Sequence, residues 1–271
     1  MFSIKHFING IFLGTTLLAP GLSVATIAMV LGIYEQLISS ISDFFSRKWK
    51  EALQILLPLL AGAIIALFIT SVIFTWADNA FHYQLIFLFV GLIAGSIPIL
   101  IRASKAKTTF TRRHVLILII MALLVASLWF FDPNETTTVV HSIDTSLALR
   151  LFFAGFIGAV AMLLPGLSAA LLLLLLGAHS ILSYAIATLN FTVLGIALIG
   201  SLVGLATGSR IIKYVLEQHT VMTHAVSIGM VSGSVVAIFP GFPVGILGII
   251  SCFIMLIIGV FIAIILDRFK K

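Results

Sequence analysis

Residues 6–34, 52–77, 79–101, 114–131, 151–209 and 218–266 contain no Lys, Arg, Asp or Glu. About 20 apolar residues in a helix suffice to cross the hydrocarbon of a bilayer, and each of these runs reaches or approaches that length. Backbone in hydrocarbon must satisfy its hydrogen bonds within its own segment, which helices of this length do. The chain is therefore predicted to be an all-α polytopic membrane protein. Only 9% of its 271 residues are charged and 61% are hydrophobic, with a mean hydropathy of +1.28, whereas soluble domains carry about 25% charge. This excludes a soluble enzyme, a nucleic-acid-binding module and a disordered tail. Cys252 stands in an apolar run as the single cysteine, forms no intrachain disulfide, and carries no information about compartment. The opening MFSIKHFINGIFLG lacks the small-residue cleavage site of a secretory signal and reads as part of the mature protein.

The runs are not independent. Shifting the sequence by 145 residues lays 7–37 on 152–182 with 11 of 31 pairs identical, among them Gly10/Gly155, Pro20/Pro165, Gly21/Gly166, Ser23/Ser168 and Gly32/Gly177. Apolar composition produces chance Leu pairs, but not a Pro-Gly-Leu-Ser with a Gly nine residues beyond it, twice in one register. Further on the offset falls to 138, pairing Gly62 with Gly200, Gly91 with Gly229 and Gly95 with Gly233. The chain thus divides into a first repeat over 1–131, an external linker over 132–146 and a second repeat over 147–271.

Each half opens with an apolar segment broken at Pro-Gly, 7–37 and 152–182. Three spans follow, 52–75, 83–101 and 114–131 in the first half, and 191–209, 222–239 and 243–266 in the second. At about 1.5 Å per residue the arms of the broken segments fall short of the ~30 Å hydrocarbon core. They are expected to be re-entrant hairpins, the alternative being pairs of tightly joined, tilted spans. With both termini inside, 14 of the 15 basic residues lie on the cytoplasmic side and only Arg150 outside, as the positive-inside rule requires. Three spans per half then turn the second repeat upside down. The fold expected is six transmembrane helices plus two opposed re-entrant hairpins, an inverted repeat of the kind secondary transporters use, with a midplane site.

Pro20-Gly21 and Pro165-Gly166 interrupt the helical ladder at membrane depth, where irregular backbone is tolerated only inside protein or beside a water-filled cavity. Ser23 and Ser168 stand as N-caps of the second arms, beside free N–H groups and a positive helix end. Two such ends approaching the midplane make an anion site, the alternative being a pair of kinks packed on small residues. Arg210 closes a long uncharged run and is either a bidentate phosphate grip or an interfacial anchor. Arg150 opens the outer hairpin, where it attracts a lipid phosphate or anchors a helix end. Glu35 follows the first hairpin and is either partly buried, as a proton or cation carrier, or neutralised by Arg47 or Lys48. Lys213, His219 and His224 are placed together in an inner loop, and Trp49, Trp76 and Trp129 near the membrane interfaces.

GIFLGTTLLAPGLSVATIAMVLGIYEQLISSIS, PGLSAALLLLLLGAHSIL and GLATGSRIIKYVLEQHTVMTHAVSIGMVSGSV together resemble the PopT-type bacterial polyprenyl-phosphate transporters. The most specific features are the two Pro-Gly-x-Ser turns, Gly-x-Tyr-Glu at 32–35, and Ser209-Arg210 followed by His219. The resemblance implies translocation of undecaprenyl phosphate, the lipid carrier of cell-wall precursors, from the outer to the inner leaflet of the bacterial cytoplasmic membrane. It implies a polyprenyl-phosphate lipid and membrane lipids as partners, no nucleic acid, no cofactor, and coupling to a proton or sodium gradient through Glu35. The chain departs from the family pattern with Val24-Ala25 and Ala169-Ala170 where glycines are usual. The substrate phosphate is expected at Gly21, Ser23, Gly166, Ser168, Arg210 and Arg150, with Pro20 and Pro165 forming the hairpin turns.

Two other classes compete with this reading. An intramembrane lipid phosphatase needs an Arg and a His in a spacing that Arg210 and His219 do not provide, and an Asp where Thr223 stands. His219 and His224 lack a third neighbour, against the three protein ligands a catalytic zinc takes. An ion-coupled small-anion transporter would be served equally well by opposed hairpins. A lipid substrate, unlike a small ion, requires a side opening from the midplane site into the membrane.

Overall fold

The computed structural model describes residues 3–16, 23–130 and 144–268, and no strand occurs among them. In chain order the helices are α1 (Ile4–Thr16), α2 (Val24–Val30), α3 (Tyr34–Phe44), α4 (Trp49–Ala103), α5 (Ala106–Thr109) and α6 (Arg112–Ala126). A 3-10 turn (Ser127–Phe130) follows, then α7 (Thr145–Leu163), α8 (Ala169–Leu175), α9 (His179–Ala187), α10 (Phe191–Gln218), α11 (Thr220–Ala237) and α12 (Ile246–Arg268). Seven segments are long and apolar enough to cross a membrane: Trp49–Phe74, Trp76–Ala103, Arg112–Phe130, Thr145–Leu163, Phe191–Gln218, Thr220–Ala237 and Ile246–Arg268. Their outer faces carry large apolar side chains, Phe68 at 73% exposure and Phe261 at 63% among them, which only lipid can cover favourably. The protein is a multi-pass membrane protein.

Six of these segments are the expected spans, with shifted ends. The seventh, α7, corrects the expectation of a short arm over 152–164. It has 19 residues because Asp144 starts it early, its carboxylate accepting from Leu147 N–H at 2.8 Å. At about 1.5 Å per residue it approaches the ~30 Å core, whereas α1 has 13 residues. The second arms, expected as single helices over 22–37 and 167–182, are each broken. Gly32 (φ 71°) and Gly177 (φ 64°) occupy the left-handed region. Ile33 N–H reaches Ala28 O at 2.9 Å and Gly32 N–H reaches Met29 O at 3.0 Å; Ala178 N–H reaches Leu173 O at 2.9 Å and Gly177 N–H reaches Leu174 O at 2.8 Å. Both are Schellman caps, built from the same bonds one repeat apart.

α4 is two arms divided at Phe81, whose backbone leaves the helical region at φ −141°, ψ 42°. His219 divides α10 from α11 at φ −132°, ψ 45°, and lies one 138-residue offset from Phe81. The expected inner loop holding Lys213, His219 and His224 is therefore absent: Lys213 belongs to α10, His224 to α11, and His219 is the junction between them.

Glycines fix which helices pack closely. A Cβ on Gly10 would strike the Leu59 backbone and one on Gly62 the Phe7 carbonyl, joining α1 to the first arm of α4. Gly155 lies against Ala197 and Gly200 against Phe152, joining α7 to α10 in the same way. The remaining pairs cross between halves. Gly91 meets Leu256 and Gly259 meets Leu88, so the second arm of α4 packs on α12, while Gly229 meets Leu118 and Gly233 meets Ala122, so α11 packs on α6. Small residues permit this close approach, the usual means of helix association in lipid. The short helix α2 sits inside this frame with Ala25, Thr26, Ile27, Ala28, Met29 and Val30 all buried.

Candidate functional site

Ser23 is extended (φ −92°, ψ 136°) and caps α2, its hydroxyl accepting from Ala25 N–H at 3.2 Å. The same hydroxyl donates to Leu164 O at 3.0 Å. One turn on, Thr26 Oγ1 accepts from Gly166 N–H at 2.9 Å, and at the start of α3 Tyr34 Oη donates to Leu163 O at 3.0 Å. Three hydroxyls of the first half thus hold the backbone of the second Pro-Gly turn. All three side chains are interior, at 4%, 2% and 4% exposure respectively. Burying hydroxyls and peptide groups is tolerable only because each finds a partner. Pro165 is fully buried, and Gly166 has φ +80° with its Cα against the Met230 and Val231 backbone, where a Cβ would come within 2.5 Å of Val231 N.

The other expected site residues are more dispersed. Pro20 and Gly21 lie outside the described residues. Ser168 is half-buried immediately before α8, its carbonyl accepting from Leu172 N–H at 3.2 Å. Arg150, exposed on α7, donates through Nη2 to Leu176 O at 3.2 Å, at the end of α8 just before Gly177. Arg210 is helical and exposed, and donates through Nη2 to Phe45 O at 2.7 Å. One turn further, Lys213 Nζ pairs with Asp43 Oδ1 at 2.9 Å. Two cations of α10 therefore hold the C-terminal end of α3, where they complement its dipole. Glu35 is exposed rather than partly buried, and no ion pair joins it to Arg47 or Lys48 among the described residues. It lines two small cavities, one of 210 Å³ with Tyr34 and His224 and one of 270 Å³ with Lys213 and Glu217.

A third cavity is apolar. Some 380 Å³ in volume, it lies between Leu37, Ile41 and Phe44 of α3, Leu56 and Leu60 of α4, Met162 of α7, and Leu202 and Leu205 of α10. Its inner wall includes Tyr34 and Leu163, two partners of the hydroxyl contacts just described. On its outer wall Leu60 is 54% exposed, so the space opens sideways between helices that face lipid.

Of the expected site residues, the structure brings Ser23 and Gly166 together; sequence reasoning assigned Thr26 and Tyr34 no role, and set His224 in a loop. A signal for two of them was present: Thr26 is the one hydroxyl in VATIAMV, and the repeat offset sets Thr26 against Leu171 and Tyr34 against His179. Departures from an otherwise kept repeat mark positions where the halves do different work.

Residues 13–245 match the model of a family described as undecaprenyl phosphate translocase-like. A protein of Staphylococcus aureus named polyprenyl-phosphate transporter is 36% identical over 97% of this chain and 95% of its own length. A Vibrio cholerae protein of the same name is 26% identical over 88% of this chain and 78% of its own. No solved structure matches.

Proposed function

We propose, from the premise that this chain belongs to the undecaprenyl phosphate translocase-like family, that it moves undecaprenyl phosphate between the leaflets of the bacterial cytoplasmic membrane. The single observation that carries this reading is the apolar cavity that opens between lipid-facing helices and ends at the polar contacts of the second turn. A polyprenyl chain requires such a side opening next to the place where its phosphate is handled, and a small anion does not. Relatives named as transporters support translocation without covalent chemistry, so the protein is read as a carrier and not an enzyme.

In this reading the two halves form an inverted repeat whose Pro-Gly hairpins approach the midplane from opposite faces. The paired glycine contacts and the matching breaks at Phe81 and His219 support it. The phosphate is taken by the turns at Gly21, Ser23, Gly166 and Ser168, with Arg150 attracting it at the outer face and Arg210 at the inner. A guanidinium has five N–H donors, so the bonds to Leu176 O and Phe45 O leave most of each side chain available. Glu35, open to its two cavities, is the group through which a proton or sodium gradient couples to transport.

The deciding experiment reconstitutes purified protein in liposomes with undecaprenyl phosphate and follows the accessibility of its headgroup in each leaflet. Exchange faster than in protein-free liposomes is expected, and its absence overturns the reading. Orientation is tested separately, by single-cysteine labelling in cells on a Cys252→Ser background. Lys107→Cys should be reached only from the cytoplasm and Asn134→Cys only from outside; external labelling at 107 would reverse the topology.

A further inference from the structure

The bond between Thr26 and Gly166 has the chemistry of the expected substrate contact. Gly166 N–H points at a buried oxygen 2.9 Å away, and that oxygen belongs to a side chain of the other half. An oxygen of a phosphate monoester would take the same donor more strongly, since a charged acceptor roughly doubles the strength of such a bond. With Thr26 at 2% exposure, the donor is reached only if α2, together with the start of α3, moves away from the second turn. That movement also breaks the bonds from Ser23 to Leu164 O and from Tyr34 to Leu163 O. The second of these, between Tyr34 and Leu163, lies in the wall of the apolar cavity, where a lipid tail lodged in the cavity would bring its headgroup.

We propose that Thr26, with Ser23 and Tyr34, is a clasp whose hydroxyl stands in for the substrate's phosphate oxygen at Gly166 N–H, so that the lipid phosphate binds by displacing it. The inference rests on the reading of this chain as an undecaprenyl phosphate carrier and adds to it residues that set affinity by competition. Because only the opened form binds, apparent affinity is the intrinsic affinity scaled by the opened fraction. Each clasp bond removed raises that fraction. Hydrogen bonds between membrane helices are individually weak, and losing one corresponds to roughly a threefold change in an equilibrium constant. A purely structural contact has the opposite signature, since its loss loosens the site and weakens binding.

The test measures binding to the full-length protein in nanodiscs, with undecaprenyl phosphate and the uncharged alcohol undecaprenol as probes. Thr26→Val removes the acceptor at nearly constant shape, Thr26→Ser restores a hydroxyl, and Tyr34→Phe releases Leu163 O while leaving Thr26 in place. Thr26→Val and Tyr34→Phe are each expected to bind undecaprenyl phosphate about threefold more tightly than wild type, with undecaprenol unchanged and Thr26→Ser like wild type. Wild-type or weaker phosphate binding by both variants overturns the clasp, as does an equal gain for undecaprenol. If Thr26→Val does not fold, Tyr34→Phe decides alone. Wild type failing to bind the lipid at all is a different result, which removes the carrier reading and the clasp with it.

Discussion

The segments on either side of the two Pro-Gly pairs share caps and close packings and differ in the polar groups they carry. Both second arms end in the same glycine cap, at Gly32 and Gly177, and both first arms lie on a neighbouring helix through a glycine, Gly10 and Gly155. Yet α7 runs 19 residues from its Asp144 cap, whereas α1 begins at Ile4. The first half sends Ser23, Thr26 and Tyr34 into the second turn, while the corresponding positions are Ser168, Leu171 and His179. Repetition supplies the scaffold, and two of the three polar positions differ between the halves: one half supplies threonine and tyrosine hydroxyls there, and the other does not.

The largest effect that probes this difference is expected at Gly166. Alanine there adds the strain of a left-handed backbone, about 1–2 kcal/mol, to overpacking against the Met230–Val231 backbone, about 1–3 kcal/mol. Gly166→Ala should therefore lower the thermal unfolding midpoint in detergent sharply and reduce expression. The contact with α11 makes this a cost to folding and not to lipid binding alone. A Gly166→Ala protein as stable as wild type would break the account of the second turn as an element wedged on α11.

A smaller pair of changes sharpens the shared part of the comparison. Gly32→Ala and Gly177→Ala each place a Cβ in a left-handed Schellman position and should each cost about 1–2 kcal/mol. At Gly177 the added carbon meets only the tip of Arg150, 3.2 Å away, which can swing aside. The two costs, measured as losses of unfolding midpoint under one detergent condition, should therefore match closely. A large inequality would mean that the two caps, alike in their bonds, are not equivalent in their surroundings.

The spans were legible because charge is expensive in hydrocarbon, so their centres follow directly from the uncharged runs. Their ends were not. In a chain so rich in Leu and Ile, helix continues past the first charge: α10 carries Arg210 and Lys213 within it and stops only at Gln218. The early start of α7 depended on one side-chain cap at Asp144. Gly32 and Gly177 were visible as a repeated pair, but helices tolerate isolated glycine, and only the φ values distinguish a cap from a packing residue. Of the site, the register of the two turns could be read and the clasp could not. A threonine in an apolar run looks the same whether it bonds its own helix, as Thr70 does to Ala66 O at 2.7 Å, or a turn 140 residues away, as Thr26 does.

The crossing of the halves has a consequence for how the protein is made. The glycine face of α4 at Gly91 and Gly95 is built for α12, which is made much later, and the face of α6 at Leu118 and Ala122 waits for α11. At about 5–20 residues per second of synthesis, these surfaces stand in the membrane for roughly 6 to 30 seconds before their partners exist. Neither half is a unit that can be completed early and handed on. The nascent chain must be kept from pairing its small-residue faces with other proteins until α11 and α12 arrive, which makes assembly an event timed by synthesis of the second half.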